Sequence, residues 1–418
     1  MDRLTSADVD RLDRDDPLRD FRNRFALPEG VIYLDGNSLG PLPKTVPERV
    51  NRMLTQEWGR NLIGGWLKDG WMDKPLALGD RLAALIGAGP AEVAVVDTTS
   101  INLFKLLSAA LRMRPDRHVI LSNAENFPTD LYMAQGLVEQ LGGRHALRVA
   151  AETEIAEAID EDTAVVMLTE TNFKSGAVFD MAAVTAAAHA KGALALWDLA
   201  HSAGAFPVDL NGCGADFAVG CSYKYLNAGP GGPAFLFVAS RHQAAARQPL
   251  TGWLGHADPF AFETGFRPAD GIRRQICSSP GVIGLVALEA ALDVMLDADM
   301  TAIRRKSIAL GDLFIQLVEQ ECPDAGFRLV SPREARETRP WGRGSQVSFA
   351  HPDGYAIIQA LIARGVVGDF RDPDVLRFGF TPLYTRFVDV WKAVTHLRAV
   401  LDKDEHRDPA YRVRASVT

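Results

Sequence analysis

Residues 217–238 read FAVGCSYKYLNAGPGGPAFLFV, and this stretch decides how the rest of the sequence is interpreted. Two apolar runs, Phe217–Cys221 and Ala234–Val238, have the composition of buried strands. Between them, Lys224 stands between two tyrosines and is followed by a turn rich in glycine and proline. Most lysines are solvated, but an amine held between a buried strand and a tight turn is poorly placed to reach water. Burial favours the neutral form of an amine, which is a nucleophile that forms Schiff bases.

Further apolar runs precede this stretch and alternate with segments that carry apolar residues at helical spacing. The strand-like runs are Val93–Val96, Val119–Leu121, Thr163–Leu168 and Ala193–Trp197, and the helix-like segments are Ile101–Arg112, Thr129–Leu141 and Ala182–Lys191. This alternation predicts an α/β fold with a mostly parallel sheet and helices on both faces.

The pattern changes after about residue 285. A long helical stretch over Val286–Glu321 is followed by strands near Phe327–Val330, Gln346–Phe349 and Val375–Phe378, with helices over Tyr355–Arg364 and Thr385–Leu401. We therefore expect three segments. They are an N-terminal arm that belongs to the small domain (1–60), a large cofactor-binding domain (61–285) and a smaller α+β C-terminal domain (286–418).

Composition excludes several classes of protein. The 418 residues are 47% hydrophobic and 23% charged with a formal net charge of −8, so we expect a folded protein without nucleic-acid partners. The longest uncharged run, 225–240, is broken by prolines and glycines, which excludes a membrane span.

The first twenty residues alternate Asp and Arg, which predicts a cytoplasmic protein. The four cysteines form no C-x-x-C pair and the histidines are scattered, so no disulfide or metal site is expected.

Polar residues follow several predicted strands, where ligands bind in a parallel sheet. Asp97–Asn102 open a helix after Val93–Val96 and suit a phosphate, although a Thr or Ser N-cap explains the same residues. Asn126–Asp130 place an aromatic ring beside a carboxylate, and that ring either stacks on a planar cofactor or is an ordinary buried Phe. Asp198 and His201 follow another strand and either line a pocket or form a structural pair.

A buried lysine together with a carboxylate at a neighbouring strand end predicts pyridoxal phosphate as the cofactor. Lys224 supplies the amine, and Asp198 supplies the acid partner for the pyridine nitrogen. Competing cofactors lack comparable motifs. No Gly-Lys dipeptide for a P-loop is present, and the nearest dinucleotide-like string, from Gly229 to Ala234, precedes a strand instead of following one.

Seven short motifs, taken in order, resemble the kynureninase family of fold-type I pyridoxal-phosphate enzymes, which are similar to class V aminotransferases. The motifs are Tyr33–Gly40 (YLDGNSLG), Phe127–Asp130 (FPTD), Asp198–His201 (DLAH), Ser222–Lys224 (SYK), Gly252–Gly255 (GWLG), Ser279–Pro280, and Arg377 ahead of Pro382–Tyr384. The resemblance covers nearly the whole chain. It implies a large domain with a mostly parallel sheet of seven strands and a smaller α+β domain.

The resemblance also implies roles for individual residues. Lys224 would form the Schiff base, Asp198 would partner the pyridine nitrogen and Tyr223 would move a proton, so these three are the expected catalytic residues. Phe127 would stack on the ring, with Thr169 and His201 at its polar edge. The full set of expected cofactor-binding residues is Thr99, Ser100, Phe127, Pro128, Thr129, Asp130, Thr169, Asp198, His201, Tyr223, Lys224, Trp253 and Ser279.

Some implied contacts involve the substrate or a second subunit. Trp253 and Ser279 would reach the phosphate of the neighbouring subunit, so that the active site is complete only in a homodimer. Arg377 would grip the substrate α-carboxylate as a two-pronged donor. Ser38 and Trp66 are the other expected substrate-binding residues.

The reaction implied is hydrolytic Cβ–Cγ cleavage of L-kynurenine to anthranilate and L-alanine in tryptophan catabolism. Vertebrate members of the family carry a histidine near the aryl ring of the substrate where this chain has Trp66. The resemblance therefore does not indicate whether kynurenine or 3-hydroxykynurenine is the preferred substrate. Another reaction on the same fold, that of an aminotransferase or a cysteine desulfurase, is the alternative. A desulfurase needs a mobile nucleophilic cysteine, whereas Cys322 has a helical context. A non-catalytic binding module is the remote alternative.

Overall fold

A computed structural model describes residues 3–339 and 341–414. Residues 1–2, 340 and 415–418, which the predicted first and last segments include, lie outside the described residues. The α-helices of the described chain, α1 to α12, are Ser6–Arg14, Val46–Arg52, Gly65–Lys68, Lys74–Ile86, Thr99–Met113, Pro128–Gln140, Ile155–Ala158, Met181–Ala190, Val282–Leu296, Met300–Glu321, Gly354–Ala363 and Phe387–Asp402. The strands, β1 to β13, are Ile32–Tyr33, Val93–Val95, Val119–Asn123, Ala146–Ala150, Thr163–Thr169, Leu194–Asp198, Phe217–Gly220, Phe235–Val238, Arg328–Leu329, Gln346–Ala350, Val366–Val367, Asp369–Arg371 and Val375–Gly379.

The chain divides into two compact units. The large unit comprises Thr45–Asn172 and Phe179–Asp293, and the small unit comprises the described parts of Met1–Lys44, Phe173–Val178 and Val294–Thr418. The sequence places these boundaries at residues 60 and 285 instead. Helix α2 belongs to the large unit because its Arg49 pairs with Glu57 and Glu289 at 2.8 Å each.

A seven-stranded sheet forms the centre of the large unit, in the order β2-β8-β7-β6-β5-β3-β4. Neighbouring strands from β4 to β7 are parallel, and β8 is antiparallel to both β7 and β2. The predicted α/β fold with a mostly parallel sheet of seven strands is therefore confirmed. Strand β4 has no counterpart among the predicted runs, because this edge strand is largely solvent-accessible and its sequence, ALRVA, is mixed in polarity.

Local sequence determines how the chain turns from strand to helix at one edge of this sheet. The Thr98 side chain caps α5 by accepting a hydrogen bond from the Ile101 backbone N–H at 3.4 Å. Pro128 occupies the first turn of α6, where its missing N–H is not needed. The register of β5 and β6 pairs Thr169 with Asp198. The last residues of these two strands therefore lie side by side at the carboxyl edge.

The small unit contains two further sheets. One is four-stranded and antiparallel, in the order β12-β13-β10-β9, and the other is the parallel pair β1-β11. Their apolar residues share one buried core with residues of α10, α11 and α12, such as Phe314, Ile357 and Val390. Strands β9, β10 and β13 and helices α11 and α12 lie where the sequence predicts them.

The single helical stretch predicted over Val286–Glu321 is wrong, because the structure contains two helices there, α9 and α10. Asp299 separates them, and its carboxylate accepts hydrogen bonds from the backbone N–H groups of Thr301 and Ala302 at 3.0 and 3.2 Å. A short acidic side chain that bonds to nearby backbone in this way favours a helix start over a helix interior. Both helices are rich in apolar residues, so the composition does not reveal the break.

Within residues 3–339 and 341–414, no helix combines the length and apolar character needed to cross a membrane. The four cysteines of the chain are all free thiols, and three of them are buried.

A buried carboxylate links several segments of the large unit. Asp216, which is 1% exposed, accepts a hydrogen bond from the Ala195 backbone at 2.7 Å. Its two oxygens lie 2.8 Å from His189 Nε2 and 2.6 Å from His242 Nε2, and Arg241 pairs with it at 2.7 Å. Burial raises the pKa of this carboxyl, but the histidine and backbone hydrogen bonds together outweigh burial and hold the pKa of Asp216 well below its ordinary value.

We expect Asp216→Asn to lower the free energy of unfolding by about 3 kcal/mol at neutral pH, because a buried ionic network loses its central charge. Since the folded-state pKa is depressed, this contribution is present above the unfolded-state pKa of about 4 and is lost as the pH falls below it. Urea titrations of both proteins from neutral pH down to about pH 3 measure the difference.

The exposed pair of His118 and Asp162, 2.8 Å apart, provides the matched control. Asp162→Asn should change the free energy of unfolding by less than about 1 kcal/mol. If the wild type and Asp216→Asn lose stability in parallel on acidification, the assignment of this pH dependence to Asp216 is wrong.

Candidate active site

A cavity of about 180 Å³ opens at the carboxyl edge of the large sheet. The side chains that line it come from the ends of several strands and the helices that follow them: Thr99, Ser100, Phe127, Thr129, Asp130, Thr169, Asp198, Ala200, His201, Tyr223 and Lys224. The structure thus brings ten of the expected cofactor-binding residues together. Pro128 starts α6 between two of them.

The amine of Lys224 projects over aromatic rings in this cavity. Lys224 is partly buried, and its Nζ lies 3.0 Å from His201 Nε2, within hydrogen-bonding distance. The same nitrogen is 6.0 Å from the ring centroid of Phe127 and 5.7 Å from that of Tyr223. The position of the amine suits attack on a group that stacks against Phe127.

The turn that carries Lys224 is held at both ends. Ser222 Oγ donates a hydrogen bond to the Pro233 carbonyl at 2.5 Å, and Asn227 N–H donates to the Lys224 carbonyl at 3.0 Å. At the end of β7, a Cβ on Gly220 would lie 2.4 Å from the Phe235 ring, so only glycine fits there. These contacts fix the lysine relative to the sheet.

Two acidic side chains are buried beside the lysine. Asp198 and Asp130 are 3% and 2% exposed. Burial raises the pKa of both carboxyl groups, the negative charge of Asp198 raises that of Asp130 further, and the charge of Lys224 opposes the rise in both. Burial therefore favours the neutral form of both acids, and a cation bound beside Asp198 would favour its ionised form.

Asn126 positions two of the cavity residues, although the sequence assigned it no role. It is buried, and its Oδ1 accepts hydrogen bonds from the Thr169 hydroxyl and from the Phe127 backbone, the latter at 2.8 Å. Its Nδ2 donates to Ser122 Oγ at 3.1 Å. The one sequence signal was its place in the turn after β3, immediately before the aromatic residue.

The N-terminus of α5 faces the cavity through Thr99 and Ser100. Unsatisfied N–H groups and the helix dipole at such an end favour an anion. Because Thr98 caps the helix, the capping role and the ligand-facing positions fall to different residues. Thr98 is therefore the N-cap, and Thr99 and Ser100 are the residues available to a phosphate.

Tyr223 adds a hydroxyl group to the same wall. Burial raises the pKa of this phenol, and the nearby Cys221 raises it further. The hydroxyl is therefore protonated at neutral pH and is able to donate a proton or a hydrogen bond.

The residues of this cavity fit pyridoxal phosphate. Lys224 supplies an amine for the aldehyde, and the two buried acids suit a protonated pyridine ring. Phe127 is 42% exposed and presents its ring for stacking, and the N-terminus of α5 suits the phosphate. Each part of the predicted cofactor thus has a chemically matched partner.

Besides Pro128, three expected residues of the large unit do not line this cavity. Trp253 is 41% exposed, and its ring packs edge-on against Phe260 at 5.6 Å. Ser279 is exposed and lines a different cavity. Trp66 is partly buried and packs edge-on against Trp71 at 5.9 Å. One large unit by itself therefore does not bring them to the lysine.

In the small unit, Arg377 and Ser38 lie together. Arg377 in β13 is 2% exposed, and its Nε donates to Asp369 Oδ1 at 2.7 Å. Its Nη1 donates to the Phe173 carbonyl at 2.5 Å and its Nη2 to Ser38 Oγ at 3.0 Å. The Ser38 hydroxyl donates to Asp369 Oδ2 at 2.7 Å. Asp369, which no motif indicated, thus holds two of the three expected substrate-binding residues.

Two more charged groups complete this cluster. Arg371 pairs with Asp369 at 2.9 Å. Burial raises the pKa of Asp35 to about 7, and the charge of Asp369 contributes to the rise. Burial also acts to raise the pKa of Asp369, but the hydrogen bond and charge of Arg377 outweigh it and lower that pKa. Below pH 7 the cluster therefore has two guanidinium groups and one carboxylate, which leaves one positive charge for an anionic ligand.

Two protein families match the chain. The family described as Aminotransferase class-V matches residues 32–341, and the Kynureninase C-terminal domain matches residues 303–397. The chain is 54% identical over 412 residues to a kynureninase of Burkholderia pseudomallei (strain 1106a), which covers 97% of this chain and 98% of that protein. It is 53% identical over 419 residues to a kynureninase of Pseudomonas fluorescens, with 99% and 100% covered.

Solved structures share the fold at low sequence identity. A cysteine desulfurase from Thermococcus onnurineus NA1 has a TM-score of 0.76 at 18% identity, over 92% of this chain and 98% of that one. A C-DES mutant with glycine covalently linked to its PLP cofactor has a TM-score of 0.77 at 19% identity, over 90% and 98%. These similarities establish a fold-type I architecture and nothing finer.

The proteins related in sequence support a more specific family assignment than the solved structures do. Identity above one half extends over nearly the full length of both proteins, and a family match specific to the C-terminal region accompanies it. The chain belongs to the kynureninase family.

Proposed function

We propose that this protein is a pyridoxal-phosphate-dependent hydrolase that cleaves L-kynurenine to anthranilate and L-alanine in tryptophan catabolism. The observation that carries the proposal is the convergence of Lys224, Asp198 and Phe127 on one cavity, in a chain of the kynureninase family. The same chemistry applies to 3-hydroxykynurenine, which would give 3-hydroxyanthranilate, a precursor in NAD biosynthesis.

Bound pyridoxal phosphate supplies an electron sink for the bonds broken at the substrate. Lys224 would hold the aldehyde of the cofactor and, as a free amine, would accept the Cα proton of the substrate. His201, 3.0 Å from Nζ, holds the lysine in place between these steps. Asp198 would pair with the pyridine nitrogen and favour its protonated form, because a buried carboxylate is stabilised by an adjacent cation.

The hydrolytic half of the reaction requires water at the γ-carbonyl of the substrate and a proton for Cβ as alanine forms. We assign the delivery of that proton to Tyr223, whose raised pKa keeps the phenol protonated at neutral pH. The substrate α-carboxylate is assigned to Arg377 and Ser38, because their cluster has an unmatched positive charge below pH 7.

We also propose a homodimer in which Trp253 and Ser279 contact the phosphate of the neighbouring subunit. Their exposure and their absence from the Lys224 cavity support this assignment. The large unit also exposes apolar side chains, with Ile63 82% and Leu67 83% exposed, which is typical of a surface covered by a partner. The cytoplasmic location stays a prediction from the charged N-terminal sequence.

The cysteine desulfurase alternative is not favoured by the thiols present. Burial raises the pKa of Cys322 to about 11, so that this thiol is a poor nucleophile at neutral pH. Cys213 and Cys221 are also buried. An aminotransferase would use the same lysine, and its reaction is distinguished by its products.

We expect the purified protein to convert L-kynurenine to anthranilate and alanine in equal amounts, without an added keto acid. Lys224→Ala should abolish both this turnover and the cofactor that borohydride attaches to the chain, because the amine that forms the Schiff base is lost. Anthranilate fluorescence, amino-acid analysis and mass spectrometry measure the three quantities.

Lys191→Ala is the control, because this exposed lysine pairs with Glu161 on the surface. It should retain full turnover and full trapping. Turnover by Lys224→Ala would refute the role of this lysine, and a requirement for a keto acid would assign the protein to the aminotransferases.

We expect Arg377→Gln to raise the KM for L-kynurenine by about 30-fold or more, because a charge-assisted pair to the carboxylate is lost. The effect on kcat should be much smaller. Steady-state kinetics measure both, and a thermal melt shows whether the variant is folded.

Arg398→Gln serves as the control, since this arginine is paired with Asp402 at the surface. An unchanged KM in folded Arg377→Gln would show that another group holds the carboxylate.

We expect the KM for L-kynurenine to rise as the pH increases through 7, where Asp35 loses its proton. The ionised form adds a second carboxylate to the cluster of Asp369, Arg371 and Arg377, so an anionic substrate is held less tightly above this pH. Asp35→Asn should keep KM nearly constant from about pH 6 to about pH 8, because the amide does not ionise.

Asp297→Asn, at an exposed pair with Arg24, should leave the pH profile of KM as in the wild type. A rise in KM that persists in Asp35→Asn would place the titrating group elsewhere.

A further inference from the structure

Lys105 is a charged residue in an apolar position. It lies in α5 and is 0% exposed, among core residues such as Leu103, Leu106 and Leu107. Its ammonium forms an ion pair with the Asp97 carboxylate and donates a hydrogen bond to the Gln275 carbonyl at 2.7 Å. Burying a charge costs several kcal/mol, and replacement of buried ion pairs by apolar side chains is often stabilising. Stability of the helix alone therefore does not account for this lysine.

One partner of Lys105 lies on the loop before α5. Asp97 adopts a left-handed conformation, with φ +50, and its carbonyl accepts a hydrogen bond from Ala234 N–H at 3.0 Å. The two residues that face the lysine cavity, Thr99 and Ser100, follow almost directly. The ion pair thus fixes the conformation of the segment that presents the N-terminus of α5.

The other partner lies on a second loop. Gln275 is 1% exposed, and four residues later the chain reaches Ser279, which is exposed. Cys277 Sγ lies 3.8 Å from Asp97 Oδ2, so the two loops also touch directly. Both loops line a second cavity of about 480 Å³, the first through Asp97 and the other through residues 276–280.

We propose that Lys105 is a positioning residue for the cofactor phosphate, which it serves by locking the loop before Thr99 and Ser100 to the loop that carries Ser279. The inference rests on the proposed function, because it requires pyridoxal phosphate at these residues. Without the ammonium, the Asp97 carboxylate loses its counter-ion next to a phosphate dianion, and the two loops lose their shared hydrogen-bond donor.

The test compares pyridoxal phosphate with pyridoxal, which lacks the phosphate group. The apoenzyme is titrated with each compound, followed by the visible absorbance of the Schiff base. For Lys105→Met, the Kd for pyridoxal phosphate should rise by about tenfold or more, while the Kd for pyridoxal changes by less than about threefold. A purely structural role of Lys105 would weaken the binding of both compounds equally, and that result would overturn the proposal. An unchanged Kd for pyridoxal phosphate would also overturn it.

Lys74→Met is the matched control. Lys74 is another buried lysine of the large unit, 8% exposed and paired with Glu289 at 2.7 Å, but it does not line the Lys224 cavity. It should lower the melting temperature as Lys105→Met does and leave the preference for pyridoxal phosphate over pyridoxal unchanged. A selective loss of pyridoxal phosphate binding in Lys74→Met would overturn the proposal.

Lys105→Gln decides the question if Lys105→Met does not fold, since the amide keeps donors for both partners while losing the charge. Lys105→Gln should show the same selective loss of affinity for pyridoxal phosphate, at smaller magnitude. Equal losses of affinity for pyridoxal phosphate and pyridoxal would again overturn the proposal. Failure of the wild type to bind pyridoxal phosphate would instead refute the proposed function, so that the two failures are distinguishable.

Discussion

Two acids withheld from water, Asp198 and Asp130, share the carboxyl edge of a parallel sheet with one lysine, and the electrostatic cost of ionising them governs the cavity around them. A pair of buried carboxyl groups is costly unless cations compensate it. Lys224 provides part of that compensation. A protonated pyridine ring beside Asp198 would provide the rest, so that binding of the cofactor would also relieve this electrostatic cost.

The small unit contains an excess of positive charge below pH 7. Arg377 and Arg371 are held against Asp369, and Asp35 supplies a second acid whose charge depends on pH near neutrality. A rigid guanidinium, already oriented by Asp369, loses little conformational entropy when it receives a carboxylate. The Arg377 guanidinium is therefore preorganised for an anionic ligand and is already removed from water, whereas the Arg371 side chain is 31% exposed.

Sequence patterns predicted what depends on local chemistry. The buried runs from β5 to β8 stand out because strands covered on both faces are apolar throughout, and the turn at Lys224 combines features that rarely occur together. Residues that act through long-range contacts were not recoverable. Asp369 and Lys105 each join a charged partner eight residues away to a distant residue, Ser38 and Gln275 respectively, and no spacing rule reports the distant contacts. The sequence pattern did not reveal the break between α9 and α10, because a single capping residue, Asp299, marks it.

The antiparallel direction of β8 has a consequence for how this chain tolerates change. The segment from Ser222 to Pro233 enters from one central strand and leaves into its neighbour, with Gly220 packed against Phe235 at the junction. Only residues 221–223 separate Lys224 from the end of β7, so an insertion or deletion there would move the reactive nitrogen relative to the sheet. Pro230 and Gly231, by contrast, are exposed in the later part of the segment, so a change of length is tolerated better there than beside the lysine.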